Sequence, residues 1–443
     1  MRPLPLKGKK HLEFFHFDQK TKQLVRTAPM KKLRITVGII IDTDLNIPPI
    51  TGVTYRLYYL SRALVKMGVR IKIFLCNRKI SMYDKSDIFS DDSNIEFHLI
   101  PKDIFYHPRK MNQILSKQRL DVLQFEDAAS FLIYSELVKR LGIPTCLELH
   151  DIEATLLEGL GFAKHDILVN KAATSLAASE ADAVVCMTRK DRNELINEIG
   201  VDTGKLFLVP NPIDAATFHY YGPDAKSNTL LFIGNMYYWP NARAASVLVN
   251  RIFPEVQKKY SDAHLMLVGL IDPKIQKKYV AKGIECPGAV KDLSPYLKKS
   301  VLGLCPVKIG SGMKVKILNY CASGLPVITT SIGASGYEDI EGIMIEDDLS
   351  RQANTIITAL SDRKRLMTLS QQMRRSIIDR FDIDKVAGQM KTIYEMATYM
   401  NVGRKSSKKR YAIPKPLWLR EGRTPKRRAA KYFVVKHGVI TYQ

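Results

Sequence analysis

The chain has 443 residues, 46% of them hydrophobic and 25% charged, an ordinary globular composition that excludes a mainly disordered or collagen-like chain. At about 150 residues per domain this length suggests two or three domains, each able to bury a core without staples. The net charge of +24 sits mostly at the ends: residues 1–34 contribute +8 and residues 401–443 contribute +12, so the 366 residues between them carry only +4.

The N-terminus MRPLPLKGKKH is basic with no apolar stretch behind it, so no secretory signal is expected. No run approaches the ~18 apolar residues that cross a bilayer, so a helical integral membrane protein is not expected either. LRITVGIII (33–41) reads as the first strand. GVTYRLYYLSRALVKMG (52–68) reads as a helix, because Val53, Leu57, Leu60, Leu64 and Met67 recur at helical spacing and Gly68 suits its C-terminal cap. VRIKIFL (69–75), IEFHLI (95–100), DVLQFE (121–126), PTCLEL (144–149), AVVCMT (183–188) and KLFLVP (205–210) are short, almost continuous apolar runs. Such runs suit a parallel sheet covered on both faces, and helical stretches separate most of them. The pattern predicts a doubly wound β/α sheet.

PNPID (210–214) interrupts that pattern, which then restarts with NTLLFIG (228–234), a helix over 241–259, AHLMLVG (263–269), GIECPG (283–288) and VLGLCP (301–306). A helix over 313–322, LPVITT (325–330), GIMIED (342–347) and a helix over 349–361 complete the second round, and residues 364–399 add one or two helices. The expected architecture is α/β: two Rossmann-like, doubly wound domains facing across a cleft. The boundaries fall at 1–32 for a basic extension, 33–212 for the first Rossmann-like domain, 213–400 for the second with closing helices, and 401–443 for a basic tail. The six cysteines form no CxxC or CxxH pair, and Cys76, Cys146, Cys186 and Cys305 fall in apolar runs, so they read as small buried hydrophobes.

The richest segment is PVKIGSGMKVKILNYCASGLPVITT (306–330). A strand ends at Cys305, a loop carries Gly310 and Gly312, and Lys314 and Lys316 open a helix. A glycine turn at a helix N-terminus offers free amides and a favourable dipole to an anion. Cations in a first helical turn oppose that dipole, which makes sense if a diphosphate sits there. The same residues also read as a plain glycine turn with solvent-facing lysines.

This segment, extended to PGAVKDLSPYLKKSVLGLCPVKIGSGMKVKILNYCASGLPVITTSIGASG (287–336), resembles the nucleotide-sugar half of family 4 glycosyltransferases, enzymes of the GT-B fold. FIGNMYYWPNARAASVLVNRIFPEVQKKYSDAHLMLVG (232–269) is similar to the preceding block of that family, and PNPID to its hinge. In the first half the likeness is looser, carried by Gly52, LELHDIE (147–153) and VVCMTRKD (184–191). The resemblance implies transfer of a sugar from a nucleoside-diphosphate donor to a glycan or lipid-linked acceptor, with retention of configuration. It implies no metal and no cofactor beyond the nucleotide-sugar co-substrate. The implied donor-binding positions are Gly234, Asn235, Gly310, Ser311, Gly312, Lys314, Lys316 and Asn319. His150 and Asp151 stand at the implied catalytic positions and Gly52 on the acceptor side.

Two departures matter. The family's E-x7-E pattern places its glutamates at Ser311 and Asn319 of this chain. The second normally accepts the ribose hydroxyls; an amide there loses charge assistance worth on the order of 1 kcal/mol per bond. Glu338 or Asp339 is a candidate replacement, or else part of a solvated loop. His150-Asp151 follows a strand at the edge where open α/β sheets bind ligands, though a helix-capping role fits the same residues. Asp42-Thr43-Asp44 reads as a polar loop, and Lys102, Arg109 and Lys110 as a solvated face.

The tails carry RKSSKKR (404–410) and RTPKRRAAK (423–431), with PKPLWL (414–419) between them. Clustered cations around Trp418 suit an anionic membrane surface, giving a cytoplasmic chain peripheral at the inner face of the membrane. Nucleic acid competes for the same charge, but no nucleic-acid fold accompanies it. The ending YFVVKHGVITYQ (432–443) is strand-like. Two alternatives to an active transferase stay open at this point: a non-catalytic subunit or scaffold of the same fold, favoured by Asn319, and a polyanion-binding protein acting through its tails.

Overall fold

In the computed structural model, residues 34–43, 51–76, 94–281 and 283–399 are described with their side chains, and Asn77 by its backbone. Beyond these, backbone is described for the rest of the last helix and for two antiparallel hairpins, Phe15–Asp18 with Gln23–Arg26 and Phe433–Lys436 with Val439–Tyr442. Trp418 and the run 423–431, on which the membrane reading rests, lie outside the described residues, as does Asp44.

The first half forms a seven-stranded parallel sheet from β1 (Thr36–Ile41), β2 (Arg70–Asn77), β3 (Ile95–Pro101), β4 (Val122–Phe125), β5 (Thr145–Leu149), β6 (Ala183–Cys186) and β7 (Leu206–Leu208), in the order β3-β2-β1-β4-β5-β6-β7. The second half forms a six-stranded parallel sheet from β8 (Thr229–Ile233), β9 (His264–Val268), β10 (Ile284–Gly288), β11 (Leu302–Cys305), β12 (Val327–Thr329) and β13 (Ile343–Ile345), in the order β10-β9-β8-β11-β12-β13. The two windings match. Each order reverses beside its first strand, and a doubly wound sheet opens its ligand crevice there, outside the carboxyl ends of the strands. The central strands β4, β5, β6 and β11 are buried at every residue, which explains their continuous apolar runs.

The helix Gly52–Lys66 starts at a reciprocal cap between Thr51 and Thr54, and its buried face includes Leu57, Leu60 and Leu64. The stretch read as one helix over 241–259 is instead Trp239–Val247, a π-turn at Leu248–Ile252, and Phe253–Lys259. Pro254 lacks an N–H and its ring crowds the preceding turn, so a widened turn ahead of it relieves both problems.

The last helix, Ile383–Ser406, crosses back to the first half. Val386, Ala387, Met390, Ile393 and Tyr394 are buried with Val37, Ile39, Leu57, Leu60 and Leu64 on one face of the first sheet. The crossing lies beside the earlier one: Ile213 N–H donates to Phe381 O at 2.7 Å, and Ile383 N–H donates to Ile213 O at 3.0 Å. The chain therefore passes between the halves twice, and the two passes are hydrogen-bonded to each other.

Candidate active site

The second half supplies a cationic cradle. β8 runs into Gly234 and β11 into the loop that precedes the helix Val315–Ala322. Lys314 is the N-cap of that helix, and no side chain caps its first amides, so they are left for a ligand. Lys316 lies in the first turn, 8% exposed. Its Nζ donates to Asn241 Oδ1 at 2.6 Å and stands 4.2 Å from the centre of the Phe232 ring. Among the described residues no carboxylate pairs with it, and burial pushes it down to about 8. A Cβ at Gly234 would stand 3.0 Å from Lys316 Nζ and 3.1 Å from the Asn241 amide, so a larger residue would press on both by a few tenths of an ångström. Lys314 Nζ turns back on its own loop, donating to the carbonyls of Ser311 and Gly312.

The first half supplies the opposite wall, and the two are in contact. Ile152 N–H donates to Ser311 Oγ at 2.7 Å, and Gly312 N–H reaches Asp191 Oδ1 at 3.3 Å. Gly312 has φ +67, and a Cβ there would collide with the His150 carbonyl oxygen and lie 2.6 Å from Asp151 Oδ1. Gly52, first residue of its helix, faces Val315 across the same gap: a Cβ on it would stand 3.7 Å from Val315 Cγ2. The structure thus brings together Gly52, His150, Asp151, Gly310, Ser311, Gly312, Lys314, Lys316 and Gly234.

Three carboxyl groups line this wall. Burial pushes Asp151 up to about 6, against the charge of Lys314. Burial, aided by Asp151 and Asp127, pushes Glu153 up to about 8, and burial also raises Asp191. Glu153 Oε2 and Asp191 Oδ2 are buried without a hydrogen-bond partner among the described residues. Such acceptors suit the hydroxyls of a sugar.

The remaining expected residues lie elsewhere or are engaged. Asn235 caps its own turn, its Oδ1 accepting from Tyr237 N–H at 3.0 Å. Glu338 is exposed and accepts from Gly336 N–H at 2.9 Å, and Asp339 pairs with Arg189 at 2.8 Å and Arg380 at 3.6 Å. Asn319 is 7% exposed and its Oδ1 has no hydrogen-bond partner among the described residues. Asp42 takes a hydrogen bond from Tyr106 Oη.

Behind His150 lies a polar network that the apolar reading of the strands passes over. Arg56 Nη2 meets Glu148 Oε1 at 2.6 Å, with side-chain exposures of 1% and 3%. Arg56 also donates to the Pro210 carbonyl in the connection between the halves. His150 Nε2 meets Glu126 Oε2 at 2.6 Å. The signal was present as a period-2 stripe, Gln124 on β4 and Glu126 just past it beside Glu148 on β5 and His150 just past it, in otherwise apolar runs. Glu126, Glu148 and His150 each bring one donor atom within 4.8 Å of the others, as metal ligands would. Here two carboxylates already face the Arg56 guanidinium and a histidine, so the charge a cation would supply is present.

The Glycosyltransferase Family 4 model matches residues 50–217, and the Glycosyl transferases group 1 model matches residues 227–362. Among curated proteins, the chain is 23% identical over 305 residues to an Escherichia coli UDP-Gal:alpha-D-GlcNAc-diphosphoundecaprenol alpha-1,3-galactosyltransferase, spanning 64% of this chain and 77% of that one. Among solved structures it is similar to sucrose-phosphate synthase from Thermosynechococcus elongatus, with TM-score 0.67, 16% identity, and 82% of this chain and 98% of that one covered. It is also similar to Anabaena HepE in complex with UDP and glucose, with TM-score 0.64, 13% identity, and coverage of 82% and 100%. These structural likenesses establish the two-domain GT-B fold.

Proposed function

The chain belongs to the family 4, group 1 glycosyltransferases, and from that premise we propose that it moves a sugar from a nucleoside-diphosphate donor to a lipid-linked glycan acceptor, with retention at the anomeric carbon and without a metal. The observation that carries this reading is Lys316: a buried ammonium with no carboxylate partner among the described residues, at a helix start, beside a glycine that leaves it room. A buried charge of this kind is completed by an anion.

In this reading, the bond from C1 to the diphosphate oxygen breaks and both electrons leave with the diphosphate. Lys316, Lys314 and the open amides of the helix Val315–Ala322 offset the growing charge, the part a metal plays elsewhere. The acceptor hydroxyl bonds to C1 on the face the diphosphate leaves, and its proton goes to the departing oxygen. His150 and the carboxyls of Asp151 and Glu153 hold the sugar. Asn319 Oδ1, a buried acceptor, takes one ribose hydroxyl. The lipid-linked acceptor is supported by the name of the Escherichia coli relative. The cations of 401–443 support work at an anionic membrane surface. No helix among the described residues is long and apolar enough to cross a membrane.

The test is transfer from UDP-, GDP- and ADP-sugars to polyprenyl-diphosphate-linked sugars in liposomes, with and without EDTA. The expected product keeps the donor's anomeric configuration by NMR and forms in EDTA. An inverted product refutes retention, and loss of activity in EDTA refutes metal independence.

A further inference from the structure

His150 and Glu126 have side-chain exposures of 9% and 5%, and both sit one residue past the carboxyl ends of neighbouring strands, β5 and β4. Both oxygens of Glu126 are engaged. Oε2 meets His150 Nε2 at 2.6 Å, and Oε1 accepts from Gln124 Nε2 at 2.7 Å. The same Gln124 amide donates to Glu148 Oε2 at 2.9 Å, and its Oε1 accepts from Tyr394 Oη on the last helix. With its carbonyl end taken by Tyr394, Gln124 has only its NH2 end to turn toward the two carboxylates. The orientation of Glu126 is therefore fixed from behind, and the imidazole is fixed by Glu126 in turn.

We propose that Glu126 is the positioning residue of His150: it holds the ring through Nε2 and so presents Nδ1 to the donor sugar. The proposal rests on the reading that His150 meets that sugar. A carboxylate on one ring nitrogen decides the tautomer and the role of the other. The charged and titratable groups around the ring are Glu126 from the edge of β4, Glu148 from β5, Arg56 from the helix Gly52–Lys66, and Asp151 beside it in the chain. Burial lowers His150, but the hydrogen bond and charge of Glu126, with the charge of Glu148, outweigh it and the net direction is up. Burial raises Glu126 as well, against His150. The pair thus keeps its proton above the ordinary histidine range. In that state Nδ1–H donates to a sugar or phosphate oxygen. When the proton leaves, the donor is lost, so transfer falls as pH rises through the raised value.

Glu126→Gln keeps size and the contact with Gln124, but its amide faces Nε2 as a donor and so favours the opposite tautomer. The experiment follows histidine side-chain nitrogens by NMR in the full-length protein, with His150 assigned by His150→Asn, and measures transfer against pH. Wild type is expected to titrate above the ordinary histidine value with the neutral ring protonated at Nε2. In Glu126→Gln the midpoint should fall by about one unit or more, since an opposite charge at this distance shifts a group by 1–3 units. kcat should fall roughly 10- to 100-fold, a fraction of what a positioned acid or base contributes, with donor KM within about twofold. Because the opposite tautomer keeps its proton on Nδ1 when neutral, the alkaline limb should flatten in Glu126→Gln, and Glu126→Asp should restore part of it. A Glu126→Gln protein with the wild-type midpoint and pH profile overturns the proposal. If wild type transfers no sugar, the functional reading fails while the titration still decides the pair. If transfer occurs but His150→Asn leaves kcat intact, His150 has no part to be positioned for, and the proposal falls with it.

Discussion

In the first half, the buried Arg56 lies against Glu148 and the buried His150 against Glu126, so charge is answered within the protein. In the second half, Lys316 is as deeply placed and lies against an amide oxygen and an aromatic ring. Two sheets of one winding thus treat buried charge in opposite ways. The ion pairs behind the first wall are complete as folded; the Lys316 cradle of the second is complete only with an anion in it. The difference separates residues that should show in stability from residues that should show in binding.

The largest effect should come from breaking the first wall. Arg56→Ala leaves Glu148 buried without its counter-charge, which costs about 3–5 kcal/mol of folding stability. Urea unfolding measures it, and a loss below about 1 kcal/mol would erase the contrast between the halves. Lys316→Ala should do the reverse. Nucleoside-diphosphate binding should weaken by about 1.5–3 kcal/mol, the worth of hydrogen bonds to charged groups, while nucleoside monophosphate changes far less. Calorimetry with both ligands decides it, and equal losses would remove Lys316 from the diphosphate site.

A pH series sharpens the same point without a mutation. Burial holds Lys316 down at about 8 in the unliganded protein. A diphosphate favours the ammonium, so affinity is full below that value. It should fall toward tenfold per pH unit above it, about 1.4 kcal/mol per unit. Lys316→Ala should flatten this dependence between pH 7.5 and 9.5, a range of about two units chosen around that value. The smallest effect is expected from Asn319→Glu. Restoring a charged acceptor at a buried, unpartnered position should tighten nucleotide binding by about 1 kcal/mol. Unchanged or weaker binding would mean that the pocket is built around the amide.

The strands, the two windings and the glycine–lysine loop were legible because they depend on local patterns: short apolar runs, a positive-φ glycine, a helix start. The network behind His150 was not. Its members come from residues 56, 124, 126, 148 and 394; the polar stripe in the two strands was visible, but nothing local to it shows that Arg56 and Tyr394 meet it. The return of the last helix was equally hidden. Its apolar stripe says that a face is buried, but the stripe does not say against which half. Asn319 shows the opposite limit: the resemblance located the position, and only the structure shows that its oxygen has no partner among the described residues, that Glu338 accepts from Gly336 N–H and that Asp339 pairs with Arg189.

The return of the last helix also bears on how the chain is made. Val37, Ile39, Leu57, Leu60 and Leu64 are covered by residues 386–394, which leave the ribosome only after the whole second half has been synthesised. Until then the first sheet carries an open apolar face, and the partner of Gln124 on Tyr394 does not yet exist. The second half, whose core lies within 213–381 apart from Tyr55 and Met187 of the first half, is the part able to close earlier. Domains generally fold in order of synthesis; here the half made first is finished last, so a released chain ending just before residue 386 would hold the second-half core and leave the first sheet's apolar face exposed.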